Sequence, residues 1–370
     1  MTASAPPALW PDAGRAALFQ AWLAPLVERH ALLPDTLVPA SSDASTRRYL
    51  RIATADGASL IVMDAPASPN QVRPFVEIAG LMVDSGLHVP RLLAHDEAHG
   101  FALMEDLGGT SYLDALLAAQ RADDMPRARA LMRDAAAALL RWQGSAAGPS
   151  LPPFDEAFVK RELQIFVDWC VQAHLGKQWT PRQQEYWDRT VAQLSANILA
   201  QPQVPMHRDY MPRNLMVCED GGNPGVLDFQ DAVLGPVTYD IGSLLRDAFI
   251  TWEEADELDW AVRYWENARK TGLFGRDPDD DTGEDPHPLA LDFGLFWRTL
   301  EWTVLQRHLK IMGIFCRLKH RDGKPHYAED LPRFFAYVAR TASRYIELSP
   351  LLRLIEDMDP RLMQTGFTLR

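Results

Sequence analysis

The chain has 370 residues, 47% hydrophobic and 24% charged, which is enough apolar material for two cores in an ordinary soluble protein. A formal net charge of −13 excludes a general nucleic-acid binder, since backbone phosphates are held by clustered Lys and Arg. No run approaches the roughly 18 apolar residues of a membrane span. The start, "MTASAPPALWPDAGR", lacks the basic-then-apolar layout of an export signal. Cys170, Cys218 and Cys316 are far apart and fit neither a disulfide framework nor a thiolate zinc site. A cytoplasmic protein with no nucleic-acid or membrane partner is expected.

From Thr46 to Asp64, "TRRYLRIATADGASLIVMD" consists of two alternating apolar runs joined by Asp-Gly, and predicts an antiparallel hairpin. The stretch "FVEIAGLMVDSGL" repeats apolar residues at Phe75, Ile78, Ala79, Met82 and Val83, the spacing of one helix face, with Pro74 in its first turn and Gly86 at its end. "VPRLLAHD" and "HGFALMEDLGG" read as two further strands. Beyond Gly109 helical patterns dominate, over 111–143, 155–200, 239–273 and 289 to the end. One exception is "LMVC…GVLDF", two short apolar segments, Leu215–Cys218 and Gly225–Phe229, around a turn-rich "EDGGNPG". The acidic stretch 276–288 reads as a solvated loop; it is not a calcium loop, because Thr282 stands where the glycine must be and Pro288 where the bidentate glutamate must be.

Phosphoryl transfer to a hydroxyl needs a carboxylate to orient the hydroxyl and take its proton, and oxygen ligands to hold magnesium on the nucleotide phosphates. Asp209 in "HRD", Asn214 five positions later and Asp228 fourteen beyond that offer these groups in order, the last two at opposite ends of the proposed hairpin. The plain alternative is a polar turn leading into a strand. His207 reads as a packed buttress, and Arg208 either pairs with Asp240 or reaches an anionic substituent of a substrate. Asp240 suits a helix N-cap. Gln230 and Asp231 are either a capped turn or hydrogen-bonding groups for a substrate.

With "HRDYMPRNLMV", "VLDFQDAVLGPVTYDIGSLLRDAF" and "SSDASTRRYLR", the chain resembles the aminoglycoside phosphotransferase-like branch of the protein-kinase-like fold over roughly residues 35 to 350, and within it the anomeric sugar kinases of bacterial cell-wall recycling. The resemblance implies an α+β, bilobal fold. Residues 1–107 would form an N-lobe with an N-terminal helix, an antiparallel nucleotide-binding sheet and a hinge at its end. Residues 108–370 would form a mostly helical C-lobe carrying a catalytic loop at 206–231. It implies ATP and Mg²⁺ as cofactors, Asp209 as the base, and Asn214 with Asp228 on the metal. It also implies that the Glu105 carbonyl and Leu107 amide read the adenine, with Met104 packed behind it. The acceptor would be the C1 hydroxyl of N-acetylmuramate or N-acetylglucosamine, with Arg208, Arg213, Gln230 and Asp231 facing it and His207 and Asp240 in support. The sequence does not fix the oligomeric state, and a monomer is the favoured expectation.

One departure stands out. The family's lysine beneath the phosphates is missing: the strand reads "LIVMDAP", and no lysine precedes Lys160. Arg47, Arg48 and Arg51 are the substitute cations, with Ser42, Ser45 and the loop amides over the phosphates, and Glu77 could pair with one of these arginines. Two alternatives follow. The tryptophans of "TWEEADELDWAVRYW" and "FWRTLEWTV" could wall a site for an aminoglycoside or choline, and the missing lysine could mark a pseudokinase-like regulatory module.

Overall fold

The computed structural model describes residues 10, 12–40, 47–65, 72–218, 222–275 and 286–358. The chain separates into two compact units, one formed by Met1–Trp142 with Pro212–Ala232 and the other by Gln143–Met211 with Val233–Arg370. Compactness therefore groups residues 108–142 and the short hairpin with the N-terminal sheet.

The first unit is built on a five-stranded antiparallel sheet in the order β1-β2-β3-β5-β4, formed by β1 (Leu32–Pro39), β2 (Arg48–Thr54), β3 (Ser59–Asp64), β4 (Leu92–Asp96) and β5 (Phe101–Glu105). The expected Asp-Gly hairpin joins β2 to β3: the Thr54 amide donates to the Ala58 carbonyl at 3.0 Å, and Gly57 takes a φ of 87°, which a side chain would resist. β1 was not legible in the sequence, because "LLPDTLVP" buries little of its length and carries two prolines suited to an edge.

Helix α1 (Ala13–Arg29) lays Phe19, Leu23 and Leu26 against Leu50, Ile52, Val62 and Leu103 on one face of the sheet. Strand alternation and the pairings Arg51↔Ile61 and Ile61↔Met104 put Arg51, Ile61 and Met104 in a row on the other face. Helix α2 (Val72–Asp84) buries Val72, Phe75, Ile78, Ala79 and Met82 as its spacing predicts. Val83, assigned to the same face, is instead 55% exposed, one position past the edge of the stripe. Helices α3 (Tyr112–Arg121) and α4 (Met125–Gln143) follow, and the hairpin of β7 (Leu215–Met216) and β8 (Gly225–Val226) completes the unit.

The second unit is helical apart from β6 (Gln203–Met206), paired antiparallel with β9 (Val233–Pro236). Its helices are α5 (Glu156–Ile165), α6 (Pro181–Leu199), α7 (Thr238–Leu245), α8 (Glu254–Lys270), α9 (Pro288–Leu291), α10 (Phe293–His320), α11 (Leu331–Arg344) and α12 (Ser349–Met358). The 28-residue α10 is buried around most of its circumference and forms the axis of the unit's core. A sheet-containing first unit and a mostly helical second one bear out the α+β expectation.

After α5 the chain widens into a π-helix, Phe166–His174, which no sequence pattern announced. Gly313 of α10 lies beneath this transition, where a Cβ would stand 2.4 Å from the Ile165 carbonyl oxygen and 2.7 Å from the Phe166 nitrogen. Gly313→Ala is therefore expected to lower the unfolding free energy by about 1–3 kcal/mol through overpacking, although alanine gains roughly 1 kcal/mol of helix propensity. Denaturant unfolding checks this; a stabilised variant would mean that the two backbones can part without cost.

Candidate active site

Strand β6 ends at Met206 and delivers His207, Arg208 and Asp209 as a tight loop in the second unit. Arg208 has a φ of 76°, a strained conformation for a long side chain, and the loop holds it by local bonds. The Asp240 carboxylate, buried in the first turn of α7, accepts the His207 amide at 2.6 Å and the Arg208 amide at 3.0 Å. The expected contact of Arg208 with Asp240 is thus made by its backbone, while its guanidinium reaches Glu162 at 3.2 Å. His207 is 1% exposed, accepts the Asp209 amide on Nδ1 at 3.3 Å and meets the Tyr210 ring edge-on, the arrangement of a packed buttress.

Glu162 and Lys310 went unnoticed in the sequence. Lys310 of α10 bonds Glu162 of α5 at 2.7 Å and the Tyr239 hydroxyl at 3.2 Å, and Gln306 donates to the other Glu162 oxygen at 3.1 Å. Burial alone would push the half-buried Asp209 carboxyl up. Lys310, Arg307, Arg208 and His207 outweigh it and hold Asp209 below the ordinary carboxylate range. The available signal was "LQRHLK", charged residues inside an otherwise apolar helical run, since buried charges are seldom without a task.

Asp240 moves the opposite way: burial raises its pKa to about 7, against the two amides and Arg307, and Asp209 adds to the rise. Only the ionised carboxylate accepts both amides without competition, so kcat/KM is expected to show an acid limb close to pH 7, and Asp240→Asn to remove that limb at a lower plateau. Stability runs the other way. A folded pKa above the unfolded 3.8 gives a contribution that is complete below about pH 4 and is lost as pH rises through 7. Rate profiles and denaturation between pH 4 and 8 check both signs.

In the first unit, the β7–β8 hairpin pairs Leu215 with Val226, and the Leu227 amide donates to the Asn214 carbonyl at 2.9 Å. Asn214 and Asp228 consequently both lie at the open end of the hairpin, Asp228 one residue beyond the Leu227 that bonds Asn214. Asp228 has a φ of 59°, a conformation that Asp tolerates, and its carboxylate is 43% exposed. Arg47, 11% exposed, bonds it at 3.1 Å. The amide oxygen of Asn214 and the carboxylate of Asp228 are hard-oxygen donors of the type that magnesium takes.

The other candidates divide. Ser42 and Ser45 lie outside the described residues, as does most of the acidic stretch 276–288. Arg48 shares the α1 face of the sheet, where it and Arg15 both bond the buried Asp64. Arg51 bonds Asp106 at 3.0 Å and the Gly108 carbonyl at 3.0 Å. Of the candidates Arg47, Arg48 and Arg51, Arg47 stands beside a metal-ligand candidate, Asp228. Glu77 pairs with Arg73 on its own helix at 2.8 Å, which corrects the expectation of a partner among those arginines. Gln230 is buried and donates to Asp228 at 3.0 Å and to Asp231 at 3.2 Å, so it orients the metal-ligand candidate; Asp231 is exposed. Arg213 follows Pro212 in a single 3-10 turn that ends at Asn214. Glu105 closes β5, where its amide donates to the Arg91 carbonyl at 3.0 Å, Leu107 is buried two residues on, and Met104 is buried in the sheet.

The tryptophans do not form a wall for a cation. Trp252, Trp260 and Trp302 are buried, Trp265 donates to the Leu289 carbonyl at 2.7 Å, and Trp297 carries Arg246 over its ring at 5.0 Å. Among the described residues no helix is long and apolar enough to cross a membrane.

Residues 36–278 match the model of the phosphotransferase enzyme family. The chain is 45% identical over 325 residues to an N-acetylmuramate/N-acetylglucosamine kinase of Pseudomonas aeruginosa, covering 88% of this chain and 89% of that protein. It is 42% identical over 330 residues to the protein of the same name from Neisseria meningitidis serogroup B, covering 89% and 92%. Among solved structures, the Plasmodium vivax ethanolamine kinase superposes with a TM-score of 0.56 at 10% identity, over 94% of this chain and 92% of that one, a likeness of fold.

Proposed function

The chain belongs to the phosphotransferase enzyme family, and from that premise we propose that it is an ATP- and magnesium-dependent kinase of the C1 hydroxyl of N-acetylmuramate and N-acetylglucosamine, acting in the cytoplasm in peptidoglycan recycling. The observation that carries the choice of sugar is the likeness, over nearly the full length, to relatives that bear those two substrates in their name. Asp209 supports the choice of reaction, because a carboxylate kept ionised by buried cations is a group able to take a proton.

In this reading the C1 hydroxyl donates a hydrogen bond to Asp209. As its oxygen bonds to the γ-phosphorus, the bond from that phosphorus to the β-bridging oxygen breaks, the proton passes to Asp209, and ADP leaves with the bridging oxygen. Asp240 and His207 fix the loop so that the carboxylate needs no reorganisation. Asn214 and Asp228 would hold magnesium, which when bound supplies positive charge against the phosphates. Arg47 would give a second cation in the place of the missing lysine, and the Glu105 carbonyl and Leu107 amide would meet the adenine.

The test is to offer the purified protein N-acetylmuramate, N-acetylglucosamine, kanamycin and choline with ATP and magnesium, and to identify the product. An α- or β-1-phosphate of either amino sugar supports the reading. Phosphorylation of kanamycin or choline alone, or nucleotide binding with no phosphorylated product, overturns it.

A further inference from the structure

The segment after β5 that the kinase reading gives to the base of ATP, Glu105 to Gly108, is gripped by a charged clamp within the first unit. Arg51 starts on β2, on the sheet face it shares with Ile61 and Met104, and β3 lies between it and β5. Its Nε and Nη2 bond the two oxygens of Asp106, the second at 3.0 Å, and Nη2 donates to the Gly108 carbonyl at 3.0 Å as well. The Asp106 side chain is 5% exposed and also accepts the Ser59 hydroxyl at 2.7 Å. Burial alone would raise its carboxyl; Arg51, Ser59 and the Gly108 amide outweigh that and keep Asp106 below the ordinary carboxylate range. A guanidinium bonded by two N–H groups to a nearly buried carboxylate is fixed in plane as well as in place. Arg51, one of three candidates for a phosphate cation, is thus spent on the segment beyond β5.

The clamp bears on one peptide. The Gly108 amide donates to Asp106 Oδ1 at 3.0 Å, closing a side-chain turn around Leu107, and Gly108 takes a φ of 99°, which glycine adopts without strain. Gly108 is therefore held at its amide and its carbonyl, and Asp106 at both carboxylate oxygens. The peptide between Asp106 and Leu107 cannot turn over without breaking bonds on either side of it. Upstream, the Glu105 amide donates to the Arg91 carbonyl at 3.0 Å. Among the described residues the Leu107 amide donates to no protein group, and it sits between these anchors.

Adenine and guanine make opposite demands on such a segment. A carbonyl followed two residues on by an amide N–H matches the amino group and the N1 acceptor of adenine. Guanine presents an acceptor, O6, and a donating N1–H in those places, so a match would need the Asp106–Leu107 peptide turned over to offer its carbonyl. A site whose polar groups cannot rearrange rejects the wrong pattern, because it leaves them unpaired.

We propose that Arg51, acting through Asp106 and Gly108, sets the preference for adenine over guanine by locking the Asp106–Leu107 peptide, and that it serves the base and not the phosphates. This rests on the kinase reading above and makes Arg51 a positioning residue. The test measures binding of ATP, GTP and inorganic tripolyphosphate, each with magnesium, by calorimetry on the wild type, Arg51→Met and Arg51→Lys, with thermal unfolding of each. The wild type should favour ATP. In Arg51→Met that preference should fall roughly 5- to 30-fold, mainly through weaker ATP binding, while tripolyphosphate affinity stays within about twofold. Lysine keeps the charge but cannot bond both Asp106 oxygens and the Gly108 carbonyl at once; Arg51→Lys should lose severalfold of the preference and carries the test alone if the methionine variant does not fold. A wild type that binds GTP as tightly as ATP, or a preference unchanged in the variants, overturns the proposal. So does a loss shared equally by ATP and GTP, which would make the clamp a support of the fold alone, and so does a loss of tripolyphosphate affinity, which would return Arg51 to the phosphates. A folded wild type that binds no nucleotide overturns the kinase reading itself.

Discussion

Asp209→Asn should lower kcat by about 10²–10⁴-fold, the range in which a positioned general base contributes, and leave nucleotide affinity within about twofold of wild type. The amide keeps the size of the side chain and its place in the loop, because the anchoring bonds run from the His207 and Arg208 amides to Asp240 and do not involve the Asp209 side chain. What it loses is the ability to take a proton and the negative charge on which Lys310, Arg307 and Arg208 converge. Steady-state kinetics with N-acetylglucosamine, together with titration of a fluorescent nucleotide analogue, separates the two effects. Near-wild-type turnover would remove Asp209 from the chemistry. A large loss of nucleotide affinity would make it a binding group instead, since an interaction made only in the transition state lowers kcat without weakening the ground-state complex.

How much of this was legible in the sequence follows from the distance over which each signal acts. The β2–β3 hairpin is written in a few neighbouring residues, and the order Asp209, Asn214, Asp228 depends only on a loop and a two-strand turn, so both could be found without coordinates. The α2 stripe was recovered for the same reason and failed only at Val83, where the angular edge of the face decides exposure. Long-range pairings were invisible. Glu162 and Lys310 are 148 positions apart, and Arg47 and Asp228 are 181 apart. Nothing local distinguishes Arg47 from Arg48; strand alternation and the location of Asp64 do, and Asp64 looked like an unremarkable strand end. The π-helix left no local signal either, and the residue against which its start packs most closely, Gly313, is far along the chain.

Lys310→Met is expected to cost about 3–5 kcal/mol of stability, the range for removing one member of a buried ion pair. Methionine fills much of the volume of the lysine stem, so the loss falls on Glu162, which keeps only Arg208 at 3.2 Å and Gln306 at 3.1 Å in an interior that strongly disfavours its charge. If that reasoning holds, Glu162→Gln combined with Lys310→Met should cost less than the sum of the single changes, since the double variant leaves no uncompensated charge. The pH dependence gives an independent readout with a definite sign. Burial raises both carboxyls, but Lys310 and its neighbours hold Glu162 below 4.5 and Asp209 below 3.8, so their stabilisation is present above those ordinary values and is lost as pH falls through the lower folded ones. Removing Lys310 raises both folded values, which moves acid unfolding to higher pH and carries the Asp209 limb of kcat towards neutrality. Denaturant unfolding at pH 7, followed by acid titration of both proteins, measures this. A variant within about 1 kcal/mol of wild type with an unshifted acid midpoint would mean that water, and not Lys310, compensates the Glu162 charge, and the account of how Asp209 stays ionised would fall with it.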